Sequence, residues 1–285
     1  MTENSNLRIG LFDSGVGGLT VLREVYRQLP RESVLYFADS ARLPYGTRSP
    51  QEILQFVREI LDWMCHQGVK MIIMACNTSS ALALETVRQE YDVPILGVIL
   101  SGAKAAVKAG NRIGVIATTA TVTSNAYPLA IQEINPHTSV WQVACPEFVN
   151  LIESDRIYSA YTREVAQRYL QPLLQENIDT LVYGCTHYQH LNSIISSLVG
   201  DRIKIVDPAE HIVIAAEKEL SLMGLRNNQF ALPTRFCVSG SPKQFAELSR
   251  QWLGYLPNVE KIYTEKSSAS IISREGNILR HLAAE

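Results

Sequence analysis

The stretch DTLVYGCTHYQHLNSIISSLV, residues 179–199, begins as an apolar run of strand length, stops at Cys185 and continues with helical period. An apolar run followed by a periodic one is the form of a parallel βα unit. The same form stands at residues 69–90, VKMIIMACNTSSALALETVRQE, where Cys76 closes the apolar run. Working outward, strand-like runs LRIGLFD, SVLYFA, VKMIIMAC and VPILGV alternate with helical segments at 16–29, 50–66 and 78–91. The alternation resumes with NRIGVIAT, SVWQVAC, DTLVYGC and IKIVD, separated by helical segments at 121–134, 157–176 and 186–199. This order predicts an α/β protein with parallel sheets.

The second series repeats the first. Arg8 and Arg112 lie 104 positions apart, Ser33 and Ser139 106, Cys76 and Cys185 109, and Pro94 and Lys204 110. Four matches in one order, with an offset that drifts as small loop insertions would make it, indicate an internal duplication. The expected fold is therefore two pseudo-symmetric parallel-sheet α/β domains with the active site in the cleft between them. Residues 1–100 with 210–285 would form the first domain, the C-terminal part packing back on it through TRFCVSG and the helical SPKQFAELSRQWLG. Residues 101–209 would form the second, and the polar last twenty residues are assigned no fold.

A chain of 285 residues with 46% hydrophobic content and a net charge of −2 can bury a substantial core. The balanced charge gives no footprint for nucleic acid or an anionic membrane. No basic start leads into an apolar stretch, and no apolar run approaches the ~18 residues of a membrane helix; the expected location is the cytoplasm. The five cysteines are odd in number, widely spaced and free of CxxC pairs, which predicts free thiols.

Ligands of open parallel sheets bind outside the carboxyl ends of the strands, and Cys76 and Cys185 both fall there. Two halves facing each other would bring these thiols to opposite sides of one bound molecule. Each also precedes a helical run, whose N-terminus should favour a thiolate and make the thiol a usable base near neutral pH. A base on one face of a carbon and an acid on the other perform stereochemical inversion. Most cysteines are simply buried and inert; Cys65, Cys145 and Cys237 stay with that reading, whereas the matched positions of Cys76 and Cys185 argue against it.

The motifs IGLFDSGVGGLTV (9–21), LPYGTRS (43–49), ACNTSSA (75–81), IGVIATTATV (113–122), ACPEFVNLIE (144–153) and GCTHY (184–188) resemble, in order, those of the cofactor-independent aspartate/glutamate racemase family. The resemblance implies 1,1-proton transfer at the α-carbon of glutamate, without pyridoxal phosphate, metal or nucleotide, and a role in supplying D-glutamate for peptidoglycan. By the family pattern Cys76 takes the proton from D-glutamate and Cys185 from L-glutamate, with Asp13 assisting Cys76 and with His187 and Glu153 assisting Cys185. Substrate contacts implied by the same pattern are Asp13, Ser14, Pro44, Tyr45, Gly46, Cys76, Asn77, Thr78, Thr121, Cys185, Thr186 and His187. Family members acting on aspartate tend to carry glutamate where His187 stands, so CTH favours glutamate. Gln189, Ser101 and Asn150 replace the family's usual prolines, which bears on loop rigidity. A glutamate-sized partner is implied, no nucleic acid or membrane, and a homodimer is left open.

Other readings of the same residues stay in view. The glycine-rich DSGVGG lacks the lysine and hydroxyl of a phosphate loop and reads equally as a tight turn or a carboxylate site, with Asp13 as a helix cap. Cys185 and His187 have no second ligand pair at zinc spacing. On the same scaffold an aspartate racemase or a decarboxylase is conceivable, although a decarboxylase needs one proton donor rather than two. Outside catalysis, two such lobes could clamp an amino acid as a binding protein, or the thiols could act as a redox sensor if their Cα atoms approached within ~7 Å.

Overall fold

The computed structural model describes residues 3–263. The first half runs β1 (Arg8–Asp13), α1 (Leu19–Gln28), β2 (Val34–Ala38), α2 (Pro50–His66), β3 (Val69–Met74), α3 (Asn77–Val87), β4 (Ile95–Gly97) and α4 (Val98–Ala109). The second runs β5 (Arg112–Ala117), α5 (Thr119–Thr123), α6 (Ala126–Ile134), β6 (Ser139–Ala144), α7 (Pro146–Glu153), α8 (Ala160–Gln175), β7 (Thr180–Gly184), α9 (Asn192–Val199) and β8 (Lys204–Val206). Then follow α10 (Pro208–Leu222), β9 (Arg235–Val238), α11 (Pro242–Leu253) and β10 (Val259–Lys261).

Two parallel sheets result, ordered β10-β9-β2-β1-β3-β4 and β6-β5-β7-β8. The first four strands of each half thus lie in the same spatial order, 2-1-3-4, as a duplication requires. All pairings are parallel, so helices cover the faces, and the apolar runs of β2, β3 and β7 are buried throughout. Lys70 is the exception in β3: its ammonium is buried, 2.6 Å from Glu32 and bonded to the Ser5 and Leu225 carbonyls.

β9 pairs with β2 and β10 with β9, so the C-terminal segment returns to the first sheet. α10 packs on α1 and α4, and one buried apolar cluster joins β1, β2 and β3 to α7, α8, β7 and α10. The expected last-twenty-residue tail lies outside the described residues. Among the described residues no helix is long and apolar enough to cross a membrane.

Several element boundaries depart from expectation. The segment 121–134 is two helices, broken at Asn125, which takes the left-handed conformation (φ 54°) that asparagine tolerates. Residues 186–199 open as a 3-10 helix, Thr186–Leu191, before α9. Ser101 and Asn150 lie inside α4 and α7, so the exchange of proline there affects helices rather than loops.

Candidate active site

Four strand ends meet. Thr186, just past β7, donates to Asp13 Oδ2 at the end of β1 over 3.1 Å. Thr78 and Thr118, beyond β3 and β5, share a hydrogen bond of 2.9 Å. Both bonds cross from one half to the other, so the carboxyl edges face each other as the duplication predicts. Cys76 N-caps α3 and Cys185 precedes the 3-10 helix, and both are buried, 5% and 6% exposed.

The glycine-rich turn 13–18 is shaped by the opposite half. A Cβ at Gly17 would stand 2.5 Å from His187 Nδ1 and 2.6 Å from Thr186 Oγ1, and one at Gly15 would collide with the Glu153 carboxylate. Backbone can approach those groups only without side chains, which accounts for the glycines better than a phosphate loop does. Asp13 does not cap α1; its Oδ1 accepts from Gly15 N–H at 3.0 Å, and the N-cap position is Gly18.

Around Cys185 the order is thiol, imidazole, carboxylate. Sγ lies 3.8 Å from His187 Nδ1, and His187 Nε2 lies 2.8 Å from Glu153 Oε1, which also accepts from Val16 N–H at 3.1 Å. Burial opposes charge on His187, but Cys185 and Glu153 outweigh it and hold its pKa well above the usual histidine value. Burial pushes Glu153 up while His187 and Val16 pull it further down, so both shifts favour imidazolium beside carboxylate.

Cys76 departs from expectation. Burial and the nearby Asp13 carboxyl push its thiol up to about 12, with Cys185 adding in the same direction, and the Ser79 N–H at the helix start only partly opposes them. Desolvation thus outweighs the helix terminus here. Asp13 is itself raised by burial, against the pull of His187, two backbone N–H groups and Thr186.

The remaining expected residues line the same region. Thr121 joins Thr78 and Thr118 in a hydroxyl cluster, 3.4 Å and 3.0 Å away. Asn77 is buried next to Cys76 and accepts from Tyr127 at 2.7 Å. Ser14 is buried beside Asp13. Pro44 is half-buried at the start of the 3-10 turn Tyr45–Thr47, and Gly46 abuts Thr118 across the cleft. The Tyr45 hydroxyl is turned to Asp39, which Arg42 also holds at 2.6 Å, so only its ring and backbone remain for a ligand.

Residues absent from the sequence reading also build the site. Thr118 N-caps α5 and anchors the hydroxyl cluster, a role its place before Thr-Ala-Thr-Val-Thr could have signalled. Tyr36 donates to the Gly15 carbonyl and Tyr127 to Asn77; both lie on apolar faces where a phenol reads as core. Glu153 lines a 160 Å³ cavity with Gly15, Val16 and Leu43 and also borders a 640 Å³ groove beside α11. Neither of these reaches Cys76 or Cys185. Among the described residues no group of three or more His, Cys, Asp or Glu could hold a metal ion.

Duplicated sheets with a thiol at each equivalent edge define a racemase scaffold, and the chain belongs to the Asp/Glu/hydantoin racemase family, whose profile matches residues 9–216. It is an isomerase. Highly similar relatives within that family are glutamate racemases: that of Gloeothece citriformis is 66% identical over 267 residues, covering 94% of this chain and 96% of that protein. The crystal structure of a Bacillus anthracis glutamate racemase isoform superposes with TM-score 0.88 at 37% identity, over 91% of this chain and 98% of that one. The glutamate racemase of Francisella tularensis, crystallised with D-glutamate, gives 0.87 at 34% identity, over 92% and 99%.

Proposed function

We propose that the chain interconverts L- and D-glutamate by two-base proton exchange between Cys76 and Cys185, supplying D-glutamate for peptidoglycan in the cytoplasm. The observation that carries this reading is the burial of both thiols at equivalent strand ends, each with a carboxyl group of its own half nearby: Asp13 beside Cys76, and Glu153 joined to Cys185 through His187. Glutamate is favoured because His187 follows Cys185-Thr186 and because the relatives are glutamate racemases. The two units are taken as residues 1–100 with 210–285, and 101–209.

In the L-to-D direction, the Cys185 thiolate removes the α-proton and the Cys76 thiol returns one to the opposite face; the reverse reaction exchanges the roles. His187, held as a cation beside Cys185, supplies the charge that a thiolate there requires, and Glu153 keeps the ring oriented. Cys76, whose protonated form the apolar surroundings favour, is suited to deliver a proton first. For the reverse reaction Asp13 can accept the Cys76 proton, and the substrate ammonium group offsets the thiolate charge. Backbone N–H groups of both turns, with Asn77, Thr78 and Thr186, face the carboxylates as charge builds on the α-carboxylate, and exclusion of water strengthens them.

The test is incubation of the reduced protein with L-glutamate in deuterated water without cofactor. Early D-glutamate carrying α-deuterium, with little label in residual L-glutamate, is expected. Equal early labelling of both enantiomers would indicate one shared base and overturn the two-cysteine reading. No labelling with glutamate but turnover of aspartate would overturn the substrate. Cys76→Ser and Cys185→Ser should each lower kcat by at least ~100-fold, the scale of a lost general acid or base.

A further inference from the structure

Asn77 and Tyr127 come from different halves of the duplication. Asn77 is the first residue of α3, adjoining Cys76, and Tyr127 lies in the first turn of α6. The phenol is fully buried and its hydroxyl donates to Asn77 Oδ1 at 2.7 Å. Asn77 itself is 2% exposed, and its buried Nδ2 meets no hydrogen-bond partner among the described residues.

The two ends of a carboxamide differ in what they can bond. A buried phenol carries one hydrogen that requires an acceptor, and among the described residues the acceptor is Asn77 Oδ1. Only the oxygen end can play that part, so the amide is fixed with its NH2 group turned away from Tyr127. A buried donor left unsatisfied costs about 1–3 kcal/mol. Retaining one beside the reacting cysteine is explained if a ligand oxygen satisfies it.

We infer that Tyr127 is a positioning residue for substrate, locking Asn77 so that its two N–H donors meet a substrate carboxylate. The inference deepens the proposed function and rests on Asn77 being a substrate contact. Space for the lock comes from Gly102, where a Cβ would stand 3.1 Å from the Tyr127 hydroxyl and 2.9 Å from Pro208 Cγ. Burial, with Asp207 and Cys185 nearby, raises the phenol well above its ordinary value, so it remains a donor throughout the working pH range. Because the bond spans both halves, the donor is oriented only when α3 and α6 are together.

The experiment is a double-mutant cycle on the full chain, reading kcat and KM for both enantiomers with thermal midpoints alongside. Tyr127→Phe should raise KM by about tenfold, the worth of one hydrogen bond to a charged group, with a much smaller change in kcat. In an Asn77→Ala background the same substitution should add less than about twofold, because coupled residues are not additive. Equal KM effects in both backgrounds, or none in the single variant, would overturn the inference while leaving Asn77 as a contact. If Asn77→Ala leaves KM unchanged, the substrate-contact reading fails and the inference with it. Should Tyr127→Phe not fold, Asn77→Asp serves: it keeps an acceptor for the phenol but replaces the NH2 group with oxygen. A KM rise of about tenfold or more at preserved thermal midpoint is then expected, and an unchanged KM would overturn the inference.

Discussion

At Gly17 a methyl group would press on both His187 and Thr186, groups contributed by the other half of the molecule. Gly17→Ala should therefore reduce kcat/KM by at least ~100-fold, since displacement of about 1 Å has that consequence in positioned chemistry; steady-state kinetics with a circular-dichroism check of the fold tests it. The His187 and Glu153 pair gives a pH signature. Glu153 is held below its ordinary 4.5, so its share of stability is present above that pH and is lost as pH falls through the lower folded value. His187 is held above its ordinary 6.5, so its share is full below that pH and is lost as pH rises through the higher folded value. Glu153→Gln should thus lower the thermal midpoint most between about pH 4.5 and 6.5, and converge on the parent toward either extreme. A loss independent of pH would contradict this assignment. What the sequence disclosed at this scale was chemistry with a position: Cys76 and Cys185 stood out because the duplication paired them. Tyr127 and Thr118 did not, because a phenol on an apolar helix face and a threonine among threonines carry no mark until another segment is brought against them.

Among the elements, α2 has a start written in local residues. Ser49 and Glu52 form a capping box that spans Pro50, with Ser49 N–H donating to Glu52 at 2.9 Å. Ser49→Ala should cost about 1 kcal/mol, read as a lower urea midpoint with unchanged slope. α11 meets the second half through Trp252, whose ring stacks on His190 at 3.7 Å. Burial, with His187 nearby, lowers His190 to about 3. The unfolded chain then binds more protons between about pH 3 and 6.5, and stability falls as pH falls through that window. His190→Phe keeps the stack and should flatten that acid slope in urea titrations at several pH values; an unchanged slope would place the acid sensitivity elsewhere. The first eight strands and their succession along the chain were legible because the buried parallel strands are largely apolar. The helix break at Asn125 and the 3-10 start at Thr186 were not, since they coincide with contacts to other segments, Gln142 of β6 for the first and Asp13 of the other half for the second. The thiolate expectation at Cys76 failed for a related reason: a helix terminus is visible in sequence, whereas the burial that outweighs it is a property of the assembled halves.

For the whole molecule, the closed cleft sets the order of events. Cys65 is exposed while Cys76 and Cys185 are buried, so a thiol reagent should modify Cys65 first and the site thiols only as the halves part. Glutamate should slow that second phase, as mass spectrometry of the labelled peptides would reveal; site thiols labelling as fast as Cys65 would mean an open cleft. Parting of the halves would also break the Thr186 to Asp13 and Tyr127 to Asn77 bonds, coupling access to the loss of catalytic geometry. The return of β9 to the side of β2 bears on how the chain is made as well as on how it works. During synthesis β1 to β4 leave the ribosome early, yet the free backbone N–H and C=O edge of β2, a strand whose side chains are apolar and destined for burial, has no neighbour until Arg235–Val238 follows. For most of translation the nascent chain exposes a bare sheet edge of the kind that recruits stray strands. The second half therefore emerges while the first is still unfinished, and the last strands among the described residues are those that seal the oldest part of the molecule.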